Sequence, residues 1–298
     1  MTTVETAPPV PRPLEEPRRR RRAYSWGKPS RVGLAVRTVL LFLAAVATLF
    51  PFYAMLVLSL KPIGPVTLPD SLLPGGFSLE AYEQVLGTAS LGRWLLNTAV
   101  YSVVSVVGVL ALSMFAGYAF AKKRFPGKET MFWSFVAMLM VPYHVTLIPL
   151  FILIADWGGV DTYWGLIIPT LANAQAVFLM RQFISTLPDS LFEAARLDGC
   201  SELRILWSLV LPLTKPILAT LGVFVFLWHW NDFLWPLVVG QSEDMRTLTV
   251  GIASLHAERV PLNVVLAGSV VAFVPIFMAY LVGQRYFTEG VTTTGMKG

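Results

Sequence analysis

The sequence has 298 residues, of which 55% are hydrophobic and only 14% are charged, and its mean hydropathy is +0.63. Too few polar side chains remain to cover a water-facing surface, so the composition excludes a soluble globular protein and indicates a chain embedded in a lipid bilayer. One cysteine, Cys200, excludes an intramolecular disulfide, and three widely spaced histidines form no metal-ligand pattern. No metal site is predicted.

The N-terminal segment, residues 1–36, contains prolines and the arginine run Arg18 to Arg22 but no apolar stretch. No cleavable signal peptide is predicted here, and the first span is expected to stay as an anchor. An arginine cluster beside a first span typically remains cytoplasmic and contacts anionic headgroups. We therefore predict a disordered basic cytoplasmic tail that contacts the lipid bilayer, with no nucleic acid as partner.

Six stretches have the length and apolarity of membrane-spanning helices, which need about 20 apolar residues to cross roughly 30 Å of hydrocarbon. None of them contains Lys or Arg. The sequence thus predicts an all-α integral membrane protein with six transmembrane helices in a domain over residues 37–285. A Pro- and Gly-rich external loop, with a short helix at 79–86, follows the first span. The predicted spans are 38–60, 97–120, 131–154, 163–180, 217–236 and 264–282.

The basic residues predict the orientation, because positively charged loops resist translocation. Nineteen of the 23 Lys and Arg residues fall in residues 1–37, before the first predicted span, in 121–130, in 181–216 or in 284–298. The opposite-side segments hold the other four. Both termini are therefore predicted to lie in the cytoplasm, as an even number of spans requires.

The loop before the fifth predicted span has specific local signals. Pro188 suits a first helical position, and Ser190 and Glu193 have the spacing of a capping box. Gly199 can adopt the left-handed conformation that ends a helix, and Ser201 can cap a second one. The sequence predicts a short helix, a sharp turn and another helix running into the fifth span. Physics alone also allows an amphipathic linker at the headgroup level.

Three motifs in and after this loop are Glu193-Ala194-Ala195, Asp198-Gly199 and Leu211-Pro212. With them the segment resembles the EAA loop of binding-protein-dependent ABC importer permeases. Further matches, within about residues 97–298, are similar to the carbohydrate, maltose-type branch, and to its six-span subunit with a short C-terminal tail. These are Tyr118-Ala119-Phe120 with Arg124-Phe125-Pro126-Gly127, Trp230-Asn231-Asp232-Phe233 with Trp235-Pro236, and Gln284-Arg285 to Gly290 with Met296-Lys297-Gly298.

The resemblance implies a type I ABC importer permease fold and import of a sugar or oligosaccharide. It implies a coupling loop, residues 181–206, that docks on a separate ATPase dimer, which binds ATP and Mg. It also implies a second homologous permease subunit and an extracytoplasmic solute-binding protein as partners. The C-terminal cytoplasmic tail, 286–298, is expected to touch the ATPase pair. The residues implied in ATPase coupling are Glu193, Ala194, Ala195, Asp198 and Gly199.

No G-x-x-x-x-G-K-[ST] motif occurs in the sequence, so the chain lacks the backbone cradle and lysine that bind nucleotide phosphates, and ATP hydrolysis is expected elsewhere. We expect neither a cofactor nor catalytic residues in this chain. Polar residues inside spans usually face a cavity or another helix, because an unpaired polar group in hydrocarbon is costly. Such residues are candidates for the solute path, although helix–helix hydrogen bonding is an equal alternative for each. The candidates are Tyr143, His144, Asn173, Gln175, Trp228, His229, Asn231 and Asp232.

The absence of Lys and Arg from the predicted spans disfavours a strongly anionic solute, since phosphate recognition normally uses their cationic groups. Three rival functions stay open. A secondary transporter or channel would share the apolar spans but would not need the EAA loop. A membrane enzyme could use His144, His229 and Asp232 as acid–base groups. An ABC permease could instead carry a polyol phosphate or another polar solute.

Overall fold

The computed structural model describes residues 31–294, except for the side chains of Ala89, Val282, Gly283 and 285–294. Residues 1–30 of the predicted N-terminal tail therefore lie outside the described residues. Residues 31–36 form the start of the first helix. The end of the predicted C-terminal tail, 295–298, also lies outside the described residues. The chain divides into two units, 1–50 and 51–298.

Helices form nearly all of the described regular structure, and residues 31–294 contain no strand. The predicted all-α class is therefore confirmed. Short 3-10 turns occur at Asp70–Leu72, Met138–Met140, Ile168–Thr170 and Glu243–Met245, and a π-helical turn at Leu206–Val210. The α-helices are α1 (Arg31–Ser59), α2 (Glu80–Gly87), α3 (Ala89–Lys122), α4 (Lys128–Ala137), α5 (Tyr143–Asp156), α6 (Tyr163–Ile167), α7 (Ala174–Ser185), α8 (Asp189–Leu197), α9 (Glu202–Ile205), α10 (Leu211–Trp230), α11 (Leu234–Val239), α12 (Leu248–Ala257) and α13 (Leu262–Thr294).

Four helical segments of the described chain are each long and apolar enough to cross a membrane. They are α1, most of α3, the run from Glu202 to Trp230, and the first part of α13. Two pairs of helices separated by a bend, α4 with α5 and α6 with α7, are also long and apolar enough to cross a membrane when the two helices of a pair are counted as one span. The predicted count of six spans is matched when each bent pair is one span.

The third predicted span is wrong as a single straight helix, because α4 and α5 meet at 105°. Pro142 lies at the break with an extended ψ of 128°. Proline disfavours a helical conformation in the residue before it and lacks the N–H that would continue the helix. The α6–α7 pair bends by 44°. Asn173 restarts the helix there, its side-chain oxygen accepting a hydrogen bond from the Ala176 N–H at 2.8 Å.

The fifth predicted span also has different limits. The helical run begins at Glu202, well before the predicted residue 217, and ends at Trp230 rather than at 236. The π-helical turn lies directly before Pro212. Because Pro212 has no N–H for the carbonyl four residues earlier, the backbone widens there instead of breaking.

Within the second unit α3 is the central helix and packs against α7 and α10. One buried cluster joins these three helices to α8 through side chains such as Val109, Met180 and Leu221. A second cluster joins the start of α3 to α2, α12 and α13. In the first unit, every described residue, 31–50, is exposed. This surface is mainly apolar, as expected for a helix in contact with lipid.

Replacing Gly117 with Ala is expected to lower the thermal unfolding temperature, because α3 and α7 approach closely at this residue. A Cβ on Gly117 would lie 2.7 Å from the Met180 Cγ and 3.0 Å from the Arg181 backbone nitrogen. Such overpacking costs about 1–3 kcal/mol. Gly92, also in α3, has nothing within 4 Å of its Cβ position. Gly92→Ala should leave the unfolding temperature unchanged or raise it; an equal drop for both variants would contradict the packing argument.

Candidate functional site

The segment with the EAA-like sequence forms α8, which starts directly after Pro188. The predicted capping box is wrong, because no side chain caps this helix. Pro188 itself occupies the N-cap position with ψ at 133°, which places Ser190 inside the first turn, past the position from which it could cap. The predicted position of the helix start, within a few residues, is confirmed.

The predicted sharp turn after α8 is also confirmed. Gly199 has φ at +74°, the left-handed conformation that glycine adopts most easily. The Cys200 N–H donates to the Ala195 carbonyl at 3.0 Å, as in a Schellman C-cap. The Ser201 hydroxyl then accepts a hydrogen bond from the Arg204 N–H and caps the run into the fifth span. The loop is a helix, a tight turn and a second helix.

One side of α8 is anchored in the helix bundle. Phe192 is 1% exposed and stacks on Tyr118 of α3, with 6.0 Å between the ring centroids. On the other side, Leu197 is 88% exposed. Of the predicted coupling residues, Glu193, Ala194, Asp198 and Gly199 are exposed and Ala195 is half-buried. Sequence reasoning missed the anchor, although Tyr118 belongs to a motif that it had singled out.

Ion pairs connect both ends of α8 to the end of α3. At the start of α8, the Lys122 ammonium lies 2.7 Å from the Asp189 carboxylate and also donates to the Leu187 carbonyl at 2.7 Å. Donation from Lys122 holds the pKa of the Asp189 carboxyl below its usual value. This pair fixes where α8 begins relative to α3.

At the other end, Glu202 accepts contacts from three side chains. The Tyr118 hydroxyl donates to it at 2.7 Å, the Arg196 Nε lies 3.6 Å away, and Lys123 forms an ion pair with the same carboxylate. Arg196 belongs to α8, whereas Tyr118 and Lys123 belong to α3 and its end. Glu202 therefore joins α3, α8 and the helix that leads into the fifth span. The sequence offered no signal for this role, because the contacts are distant along the chain.

A cavity of about 570 Å³, which we call the α8 pocket, opens between α8 and the α3–α4 connection. Cationic side chains predominate in its lining. The lining consists of Lys122, Lys123, Arg124, Lys128 and Arg196, the carboxylates of Asp189 and Glu193, and Ala121 and Phe192.

A second cavity, of about 510 Å³, lies where the C-terminal end of α10 meets the starts of α5 and α11. We call it the α10 cavity. It brings together five of the eight residues predicted for the solute path. Its lining contains both aromatic rings and hydrogen-bonding groups, and its described lining includes neither Lys nor Arg. The five are Tyr143, His144, Trp228, Asn231 and Asp232, joined by Phe224, Leu227, Phe233 and Leu234.

Asp232 connects this cavity to the interior. Its carboxylate accepts a hydrogen bond from the Tyr101 hydroxyl at 2.8 Å, and its backbone carbonyl accepts one from the Thr249 hydroxyl at 2.7 Å. Sequence reasoning did not identify Tyr101, which is fully buried in α3. Asp232 is thus held in a defined position at the wall of the cavity.

The other three predicted path residues lie outside the cavity lining. Asn173 caps α7, which is a structural role, and Gln175 is exposed in the first turn of the same helix. His229 is 3% exposed, with its Nδ1 2.8 Å from the Val225 carbonyl and its ring edge-on to Tyr101. The cavity lining therefore contains His144 but not His229. Of the three residues considered as the acid–base group of an enzyme, only His144 and Asp232 line the cavity.

Comparison with known proteins places these features in a family. The family model described as binding-protein-dependent transport system inner membrane component matches residues 109–292. The sn-glycerol-3-phosphate transport system permease protein UgpE of Yersinia enterocolitica is 35% identical over 263 residues, covering 85% of this chain and 94% of that protein. The arabinooligosaccharides transport system permease protein AraQ of Halalkalibacterium halodurans is 37% identical over 262 residues, covering 86% and 94%.

A solved structure shares the fold. It is the crystal structure of a bacterial ABC transporter involved in the import of the acidic polysaccharide alginate. One of its chains matches with a TM-score of 0.77 and 28% sequence identity, covering 88% of this chain and 99% of that chain. The bent span pairs and the α8 loop described above lie within residues 109–292, the part that the family model covers.

Proposed function

This chain belongs to the family of binding-protein-dependent transport system inner membrane components, a family of multi-pass membrane permeases, and we propose that it is one permease subunit of an ATP-driven importer of sugars or oligosaccharides. The observation that carries the proposal is α8. It is a short amphipathic helix with its outer face exposed and ended by Gly199. Its start pairs directly with the end of α3, and its other end is joined to the end of α3 through Glu202. A helix held in this way transmits a movement of a docked protein to the membrane helices.

The partners follow from this role. The α8 surface docks on a dimer of ATPase subunits that hold ATP and Mg, with Glu193 pairing with a basic side chain there. A second, homologous permease completes the path, and an extracytoplasmic binding protein delivers the solute. Both termini lie in the cytoplasm, on the same side as α8, in keeping with the distribution of the basic residues. The permease itself performs no chemical catalysis.

The α10 cavity supports a sugar as the solute. Sugars offer hydroxyl groups and apolar faces, and the cavity pairs aromatic rings such as Trp228 and Tyr143 with the polar groups of Asn231 and Asp232. The similarity to an arabinooligosaccharide permease and to an alginate importer supports a carbohydrate cargo. A second candidate is a polyol phosphate, favoured by the similarity to UgpE. Against it, the cavity offers a carboxylate and no cationic side chain in its described lining.

Replacing Trp228 with Ala is expected to lower the apparent affinity for the solute about tenfold, since an aromatic contact contributes about 0.5–1.5 kcal/mol beyond its buried area. Trp228 lines the α10 cavity and is 68% exposed. Trp157 is 66% exposed but is absent from that lining, so Trp157→Ala is the matched control. Concentration-dependent uptake measures both. Equal losses for the two variants would show that the cavity is not on the solute path.

The proposed function is tested by affinity purification of the tagged full chain from native membranes. Co-purifying proteins are identified by mass spectrometry, and ATP hydrolysis is measured with and without candidate sugars. We expect an ATPase, a second permease with six to eight spans, and hydrolysis that rises with the correct sugar and its binding protein. Recovery of the chain alone as an active homo-oligomer would instead support a secondary transporter.

A further inference from the structure

The α8 pocket contains more positive charge than its internal partners neutralise. Five cationic side chains line it, against the two carboxylates of Asp189 and Glu193. Glu202 lies beside the lining and pairs with Lys123 and Arg196, while Asp189 pairs with Lys122. Two cationic side chains of the lining, Arg124 and Lys128, have no ion pair within 4.0 Å among the described residues. The Lys128 ammonium donates one hydrogen bond, to the Lys123 carbonyl at 3.0 Å. The pocket therefore has an unbalanced positive side along the α3–α4 connection.

The position of the pocket indicates the source of its ligand. Lys122 is the last residue of α3, whose preceding turns are apolar enough to span a membrane, and Lys128 is the first residue of the next apolar segment. The cations between them therefore lie where two spans leave the hydrocarbon, which is the level of the phospholipid headgroups.

The shape of the pocket also suits a headgroup. Its volume, about 570 Å³, exceeds what a phosphate needs, and Ala121 and Phe192 supply an apolar wall for the glycerol and the first acyl carbons. The Lys122 side chain is 7% exposed, and its ammonium lies 5.0 Å from the centre of the Phe192 ring, so this wall is held in place. A phosphate accepts hydrogen bonds from several Lys and Arg donors at once.

We propose that the α8 pocket binds the phosphate of an anionic phospholipid of the adjacent leaflet, with Arg124 and Lys128 as its main ligands. The bound lipid lies against Phe192 and Lys122, the residues that anchor α8 to α3. Its occupancy therefore sets how firmly the start of α8 is held, and transport depends on the anionic lipid content of the membrane. This site is separate from the solute path. It shares Glu193 with the proposed docking surface of α8, but its two main ligands, Arg124 and Lys128, belong to the α3–α4 connection.

The test uses the full chain, with whatever subunits accompany it, purified in detergent and then given phosphatidylglycerol or phosphatidylcholine. Native mass spectrometry counts the lipids retained per chain, and the unfolding temperature is recorded with each lipid. The variant Arg124→Gln/Lys128→Gln removes the two ligands. The control Arg204→Gln/Lys215→Gln removes the same charge from exposed residues outside the pocket lining. Inorganic phosphate is tested separately as the soluble source of the same group.

We expect wild type and the control to retain phosphatidylglycerol and to be stabilised by it, but not by phosphatidylcholine or phosphate. The ligand variant should retain it about 25-fold less well, because each of the two cations near an anionic headgroup contributes roughly fivefold. Equal losses in both variants would overturn the site, and stabilisation by inorganic phosphate alone would overturn the lipid as its source. Displacement of the lipid by a co-purified ATPase would assign the pocket to that subunit instead. These lipid counts do not depend on transport, so failure of the proposed function would leave them interpretable.

Discussion

Replacing Glu193 with Lys is expected to abolish solute uptake while the protein still inserts into the membrane. Glu193 is exposed on α8 and lines the α8 pocket, where cations already predominate. A lysine would repel the basic side chain that we propose on the ATPase. Uptake should fall about 100-fold or more, because breaking one side of a buried interfacial charge pair costs roughly 2–5 kcal/mol. The measurement is uptake at matched membrane levels, checked by immunoblot.

The matched control is Glu258→Lys, which makes the same charge reversal at an exposed residue directly after α12. It should retain uptake close to that of the wild type. Co-purification of the ATPase provides the second readout and should be lost only in the Glu193 variant. Wild-type uptake by Glu193→Lys would refute the role of α8 in coupling.

Replacing Glu202 with Gln is expected to separate ATP hydrolysis from transport. The change removes the charge that Lys123 and Arg196 share and weakens the hydrogen bond from Tyr118. Since Glu202 is about half exposed, the loss in folding stability should be only about 1 kcal/mol. The mechanical connection between α8 and α3 would nevertheless loosen, so solute moved per ATP hydrolysed should fall about tenfold, an estimate that takes charged hydrogen bonds as 1.5–3 kcal/mol.

A double-mutant comparison isolates this connection. Tyr118→Phe removes only the hydroxyl that donates to Glu202. If both residues act through the same contact, the double variant should lose less than the two single losses combined. Strict additivity, or a hydrolysis rate that falls in parallel with uptake, would contradict the proposed transmission role. Unchanged membrane levels guard against a simple folding defect.

Hydropathy and local turn chemistry were sufficient to predict much of this protein. The six apolar stretches, the short helix near residues 79–86 and the turn at Gly199 depend on contiguous residues. Bilayer thickness requires a minimum apolar length, and a left-handed turn strongly favours glycine. The coupling residues were likewise recognisable, because the EAA-like motif is contiguous along the chain. Their role in docking remains a prediction.

Contacts between distant segments decided the rest. Tyr143 and Asp232 are far apart in sequence but line one cavity. The 105° bend before Tyr143 and the end of α10 at Trp230 bring them there. A hydropathy profile averages over a window, so it does not reveal whether a helix breaks at a proline or continues through it. The helix breaks at Pro142 but continues past Pro212. In the sequence, Phe192 is one apolar residue among several. Only its packing against Tyr118 identifies it as the anchor of α8. The amino-acid sequence by itself determined which segments enter the membrane and where the coupling loop turns; the tertiary structure decided which side chains meet, because that depends on packing between helices.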